Sequence, residues 1–176
     1  QMRGNFGTFL CGSHGVGKTR LIKSGLVPSL LAQGHLPLVI SATREPLESS
    51  IKKYLLPNAD NLQFLKTMSL TGFIRIVASA LPEGKKLYVL VDDFEEFFER
   101  DEAERDAFHA EWLRCFNGAC PNVRWLFCVP SSAHHLLNFF KHEINPDSNT
   151  TYAPPLNREA ARAAIIKPAE RFGISI

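Results

Sequence analysis

Residues 12–19 read Gly-Ser-His-Gly-Val-Gly-Lys-Thr and satisfy the spacing G-x-x-x-x-G-K-[ST] in full. Each residue type has a mechanical use. The glycines at 12, 15 and 17 allow torsions that a Cβ would block, and they let the main chain approach an anion closely. Successive N–H groups from His14 to Lys18 can ring a phosphate as a nest, and a helix opening near Lys18 adds its positive end. Lys18 then reaches the β- and γ-phosphates, and the Thr19 hydroxyl reaches a magnesium ion. Gly12, Ser13, His14, Gly15, Val16, Gly17, Lys18 and Thr19 are therefore the candidate nucleotide-binding residues. His14 occupies a free position of the motif and reads as a solvent-facing loop residue.

A second stretch, Leu87-Tyr88-Val89-Leu90-Val91-Asp92-Asp93, is an apolar run that ends in acids. Magnesium keeps several waters and takes one or two carboxylates plus phosphate oxygens. A carboxylate at the C-terminal end of a neighbouring strand meets that need, where open α/β sheets bind ligands. Asp92 is assigned to the metal with Thr19. Asp93, Glu95 and Glu96 compete for the task of polarising the attacking water. The plainer alternative is that residues 93–96 start a helix, where acids favour the dipole.

Positioning these groups requires a sheet with helices around it. Asn5 to Cys11 reads as a buried strand running into the glycine loop. A helical pattern follows from Lys18 to Gly25, and Pro28 can open a second short helix. Leu36 to Ser41, Leu87 to Val91 and Val123 to Val129 are further strands, with Tyr152 in a short last one. Continuous apolar runs of this kind suit a parallel sheet covered on both faces. Between them lie two amphipathic stretches in 46–81, the clearer over Leu70 to Leu81, with Phe64 between them. Helices are also expected over Arg105 to Phe116, with Phe108, Trp112 and Phe116 on one stripe, over Ser132 to His142, and over Arg158 to Lys167 capped by Asn157. Strands alternating with helices make the fold α/β, a three-layer sandwich around a mostly parallel sheet.

Composition excludes several classes. The chain has 176 residues, 45% hydrophobic and 22% charged, which is enough apolar material for a core. Its net charge of +2 gives no direct nucleic-acid signal and no attraction to an anionic membrane. No apolar run approaches the roughly 20 residues that span a bilayer. Cys11, Cys115, Cys120 and Cys128 lack CxxC spacing and read as plain thiols, which points to a reducing, cytoplasmic setting. His134 and His135 are adjacent, so on a helix they diverge by about 100° and cannot chelate together. The aromatic group Phe94, Phe97, Phe98, Phe108, Trp112 and Phe116 reads as helix–sheet packing. An Asn-Lys-x-Asp pattern is absent, which favours adenine over guanine.

The sequence resembles the STAND class of P-loop NTPases, and within it the novel STAND NTPases of bacteria. Four stretches carry the likeness: GSHGVGKTRLIKSGLVPSL, LYVLVDDFEEFFE, VRWLFCV in the place of the family's sensor strand, and YAPPLNREAARAAIIKPAERFGI. The resemblance implies an AAA+/STAND-like core over 1–153 and the start of a helical lid over 154–176. It implies ATP or ADP with Mg2+ as cofactors, and a nucleotide-controlled switch whose full-length form is a homo-oligomer in signalling or antiviral defence. Effector and sensor domains are expected outside this chain, which reads as an excised fragment beginning at Gln1. Two departures stand out. Asp93 replaces the family's usual Gln, and Pro130 follows Val129 where the sensor strand normally ends in Arg. Proline brings neither charge nor donor, so the resemblance implies weak γ-phosphate sensing and slow hydrolysis. A nucleotide-binding scaffold with little turnover is the second reading. A small-molecule kinase is the third, and no acceptor site for it is visible.

Overall fold

The computed structural model describes residues 7–43, 45–56 and 67–155, together with Ile166. Five strands form one parallel sheet: β1 (Gly7–Gly12), β2 (Leu36–Ser41), β3 (Leu87–Asp92), β4 (Val123–Pro130) and β5 (Thr150–Tyr152). Their spatial order is β2-β3-β4-β1-β5. The apolar runs fall on these strands as expected. The order does not follow from them, because pairing is a long-range property. Asp92 was expected on a strand beside β1, whereas β4 lies between β1 and β3. Two steps of about 4.8 Å each therefore separate the glycine loop from the acids.

Helices cover both faces. α1 (Lys18–Leu21) continues through a π-turn, Ile22–Leu26, into α2 (Val27–Ala32), with Pro28 in its first turn. α3 (Leu47–Leu55), α4 (Leu70–Ser79), α5 (Glu102–Arg114) and α6 (Pro146–Asn149) follow. Three of these have side-chain caps that satisfy first-turn donors: Ser69 Oγ accepts from Gly72 N–H at 3.1 Å, Asp101 Oδ1 from Glu104 N–H at 2.8 Å, and Asn145 Oδ1 from Asp147 N–H at 2.9 Å. The expected α-helix over Ser132–His142 is instead wound as 3₁₀ over Ser131–Phe140. The two windings differ by only about 20° in ψ, so an amphipathic pattern does not separate them. Residues 93–96 do open a helix, as the plainer alternative had it: Asp93 precedes a 3₁₀ segment, Phe94–Glu99, with Glu95 and Glu96 in its first turn, before Asp101 caps α5. The Asn157-capped helix, Phe64 and most of 154–176 lie outside the described residues.

Strand alternation divides the core in two. Phe9, Leu38, Val89, Val91, Phe127 and Val129 face α3, α4, α5 and the 3₁₀ segments, where Phe94, Phe97, Phe108, Trp112 and Phe140 pack among them. Leu10, Leu90 and Cys128 face the other way, onto Ile22 and Leu30. The aromatic group is packing, as its spacing suggested. Trp112 is fully buried, with ring centroids 5.0 Å from Phe140 and 6.0 Å from Phe127. Trp112→Ala is expected to cost about 3–5 kcal/mol through lost transfer energy and the cavity left behind. Urea unfolding followed by circular dichroism measures it, and a loss below about 1 kcal/mol would contradict this packing.

Candidate functional site

Alternation on β3 decides where the acid goes. Leu90 points to the α1 face, so Asp92, two residues on, points there too. Val91 pairs with Phe127, which places Asp92 level with Cys128 on β4, and Cys128 in turn pairs with Leu10 on β1. The strand ends thus bring the glycine loop, α1 and the acid to one edge of the sheet. There an open cavity of about 220 Å³ is lined by His14, Gly15, Gly17, Lys18 and Thr19 on one side. Asp92, Asp93 and Glu95 line the other side, with Cys128 also in the wall.

The loop takes the shape its glycines permit. Gly15 has φ 76° and Gly17 has φ 92°, both in the left-handed region that side chains disfavour. Gly17 is the residue from which α1 starts, and its carbonyl accepts from Leu21 N–H at 2.8 Å. Lys18 Nζ donates to the Gly12 carbonyl at 3.0 Å and the Ser13 carbonyl at 3.4 Å, bridging back over the loop. Gly12 is closed in by Val16 and Ala153, and Ala153 N–H donates to the Cys11 carbonyl at 2.7 Å. Gly12, Ser13 and Val16 complete the loop without lining the cavity. His14 is exposed at its rim, a position compatible with the solvent-facing reading.

The acids divide by environment. Asp92 is 6% exposed, and its Oδ1 accepts from the Asp93 backbone N–H at 3.2 Å. Asp93 is exposed and sits at φ 51°, a left-handed conformation uncommon outside glycine, with Oδ2 accepting from the Ser41 hydroxyl at 3.1 Å. Glu95 is half-buried, and its Oε2 is buried without a hydrogen-bond partner. Burial, opposed in part by a backbone hydrogen bond, pushes the Glu95 carboxyl above the usual carboxylate range. Glu96 is exposed and does not line the cavity. The 3₁₀ winding turns neighbouring side chains about 120° apart and so separates Glu95 from Glu96.

Two contributions to the site were not visible in the sequence. Cys128 is a buried free thiol, as its apolar run suggested, and it also lines the cavity, where burial and then the Asp92 charge push its thiol up. It is therefore a protonated, unreactive wall. Ser41 ends β2 and ties that strand to Asp93, while Arg100 Nη2 donates to the Ala42 and Glu45 carbonyls at 2.7 Å each. Strand register would have exposed both, and register is what a single sequence lacks. A hard cation fits the donors. Asp92 offers a buried carboxylate and Thr19 a hydroxyl, and among the described residues no cluster of three His, Cys, Asp or Glu could hold a metal alone. Such a cation would complete its shell from phosphate oxygens and water, the habit of magnesium.

The model of the Novel STAND NTPase 1 family matches residues 2–176. No curated protein matches the chain. Among solved structures, a Walker-type ATPase of Pyrococcus abyssi is 15% identical with TM-score 0.70, over 99% of this chain and 56% of that one. The ORC2 protein of Aeropyrum pernix, in ADPNP–ADP complexes, is 15% identical with TM-score 0.60, over 94% and 46%. AMPPCP-bound DnaA from Aquifex aeolicus is 16% identical with TM-score 0.52, over 98% and 47%. These likenesses show the shared P-loop α/β fold, and the chain spans about half the length of those proteins. No described helix is long and apolar enough to cross a membrane.

Proposed function

The chain belongs to the Novel STAND NTPase 1 family, a nucleotide-binding NTPase module, and from that premise we propose that it binds ATP with Mg2+ and acts as a slow ATPase switch. In this reading nucleotide state controls homo-oligomerisation of the full-length protein in signalling or antiviral defence. The observation that carries the chemistry is the convergence of Lys18, Thr19, Asp92 and Glu95 on one cavity. Lys18 Nζ holds the β- and γ-phosphates by charge-assisted hydrogen bonds. Backbone N–H groups of the loop cradle the phosphates at the start of α1. The Thr19 hydroxyl and the Asp92 carboxylate hold magnesium, which when bound offsets the charge developing on the transferred phosphoryl group. Glu95 is the general base in this reading because it lines the cavity and burial raises its carboxyl above the usual carboxylate range, whereas Asp93 is engaged by Ser41.

One observation favours the second reading, a binding scaffold with little turnover. Pro130 pairs in register with Gly12, so the residue at the end of β4 stands beside the loop and offers no donor or charge. Phosphate release from the full-length protein separates the two, with Asp92→Ala as control and particle mass followed in ATP and in ADP. The switch predicts ATP-dependent assembly and a slow rate that falls on the order of a hundredfold in Asp92→Ala, the scale of losing one electrostatic stabiliser. A wild-type rate equal to that of Asp92→Ala leaves only the scaffold. A mass independent of nucleotide would sink the switch itself.

A further inference from the structure

Two of the four cysteines belong to no part of the nucleotide site and stand together. The Sγ atoms of Cys115 and Cys120 lie 3.6 Å apart, and both residues are 1% exposed. The chain between them explains the approach. Cys115–Ala119 is wound as a π-turn at the end of α5, a winding that bonds residues five apart, which is the spacing of the two thiols. Gly118 sits at φ 102° and lets the chain fold back before β4 begins at Val123. The floor under the sulfurs is firm. Thr71, in the first turn of α4, donates from its N–H and its hydroxyl to Glu111 Oε2 at 2.9 and 2.8 Å, which ties α4 to α5. Cys115 Sγ lies 3.8 Å from the Thr71 hydroxyl, and Cys120 Sγ lies 3.9 Å from the Thr71 carbonyl. The roof is thinner. Asn117, Gly118, Ala119, Pro121 and Asn122 are all exposed, and a segment of this kind opens locally while the sheet stays folded.

We infer that Cys115 and Cys120 form a dithiol–disulfide couple, a covalent modification site closed by exchange with a small disulfide. An S–S bond is about 2.05 Å long, so closure asks each sulfur to move by less than about 1 Å. The two sulfurs take unequal parts. Burial pushes the Cys115 thiol up to about 12. Burial raises Cys120 too, but the hydrogen bond with Cys115 and then the Arg75 charge pull it back. The Cys120 thiolate therefore attacks one sulfur of the small disulfide, forming a mixed disulfide and expelling one thiolate. Cys115 then gives up its proton, attacks Cys120 Sγ and expels the second thiolate. Two protein thiols become one disulfide while the small disulfide is reduced to two thiols, so atoms and electrons balance. The staple joins the end of α5 to the approach of β4. Cys128, the β4 residue in the cavity wall, stands roughly 16 Å along the strand from Val123 at about 3.3 Å per residue, so closure leaves the nucleotide site alone.

The test equilibrates the folded full-length protein with reduced and oxidised glutathione at graded ratios. Remaining thiols are then alkylated in denaturant, and the peptides are mapped without reduction. A Cys115–Cys120 cross-linked peptide is expected at oxidising ratios, with Cys11 and Cys128 alkylated throughout. The oxidised protein should melt roughly 4–8 °C higher, because the staple restricts the unfolded chain. Cys115→Ser should stop at the mixed disulfide of Cys120 with glutathione, and Cys120→Ser should give neither product. Both thiols still free at the most oxidising ratio overturn the couple and leave only a packed pair. A cross-link that forms only in denaturant overturns it as well, as does a lower melting temperature on oxidation. The wild-type map decides even where a serine variant fails to fold, and it needs no nucleotide, so it stands or falls apart from the phosphate cage.

Discussion

Lys18→Ala is expected to weaken Mg-ATP binding about a hundredfold and to bring phosphate release down to the solvent background. Among the described residues that line the cavity, Lys18 is the one lysine or arginine, and its ammonium would meet two phosphates at once. Hydrogen bonds to charged groups contribute about 1.5–3 kcal/mol each, so losing the set removes a factor of this size. Fold stability should change little. The lysine bonds only to the Gly12 and Ser13 carbonyls, and its loop is held by Val16 N–H donating to the Ser13 carbonyl at 3.2 Å and by the start of α1. Lys18→Arg should not rescue binding, because a planar fork does not replace a compact point charge in a loop shaped for lysine. Titration calorimetry with thermal unfolding separates the two effects. Retention of wild-type affinity in Lys18→Ala would remove the phosphate cage from the account.

The same residues show what a single sequence reveals and what it withholds. The glycine loop that carries Lys18 and Thr19 was legible because its shape is local: eight consecutive residues fix it, with Gly15 and Gly17 in the left-handed region. The strands were legible because parallel strands buried on both faces read as unbroken apolar runs, and the Leu36–Ser41 reading coincides with β2. Strand order was not legible. It places β4 between β1 and β3, and that placement is what puts Cys128 in the cavity wall and Pro130 beside Gly12. Winding was not legible either, since π, α and 3₁₀ segments share one region of φ/ψ. That loss mattered at residues 93–96. The sequence supplied three equivalent acids, and the 3₁₀ turn after β3 distributes them: Asp93 lines the cavity and is tied to Ser41, Glu95 lines it too, and Glu96 stays outside.

Glu95→Gln tests that separation, and its expected signature couples activity to stability. Glutamine keeps the shape and cannot take a proton, so hydrolysis should fall on the order of 10²–10⁴-fold with ATP affinity preserved. A base whose pKa is raised by burial also moves the acid limb of the wild-type rate profile above the ordinary carboxylate range. The stability sign follows from linkage. A folded-state pKa raised above the unfolded value means the folded chain holds the proton more tightly. The associated stabilisation is complete below the unfolded pKa and is lost as pH rises through the folded one. At neutral pH the wild type therefore carries a half-buried carboxylate, one oxygen of it without a partner, at a cost that glutamine avoids. Glu95→Gln should melt slightly higher than wild type at neutral pH, with the gap closing at acid pH. Activity and stability would then move in opposite directions, as expected where a strained polar group is kept for chemistry. A variant that hydrolyses ATP at the wild-type rate would transfer the base role to Asp93. If it bound ATP poorly instead, Glu95 would be a ligand of the nucleotide complex, and its free oxygen would have another explanation.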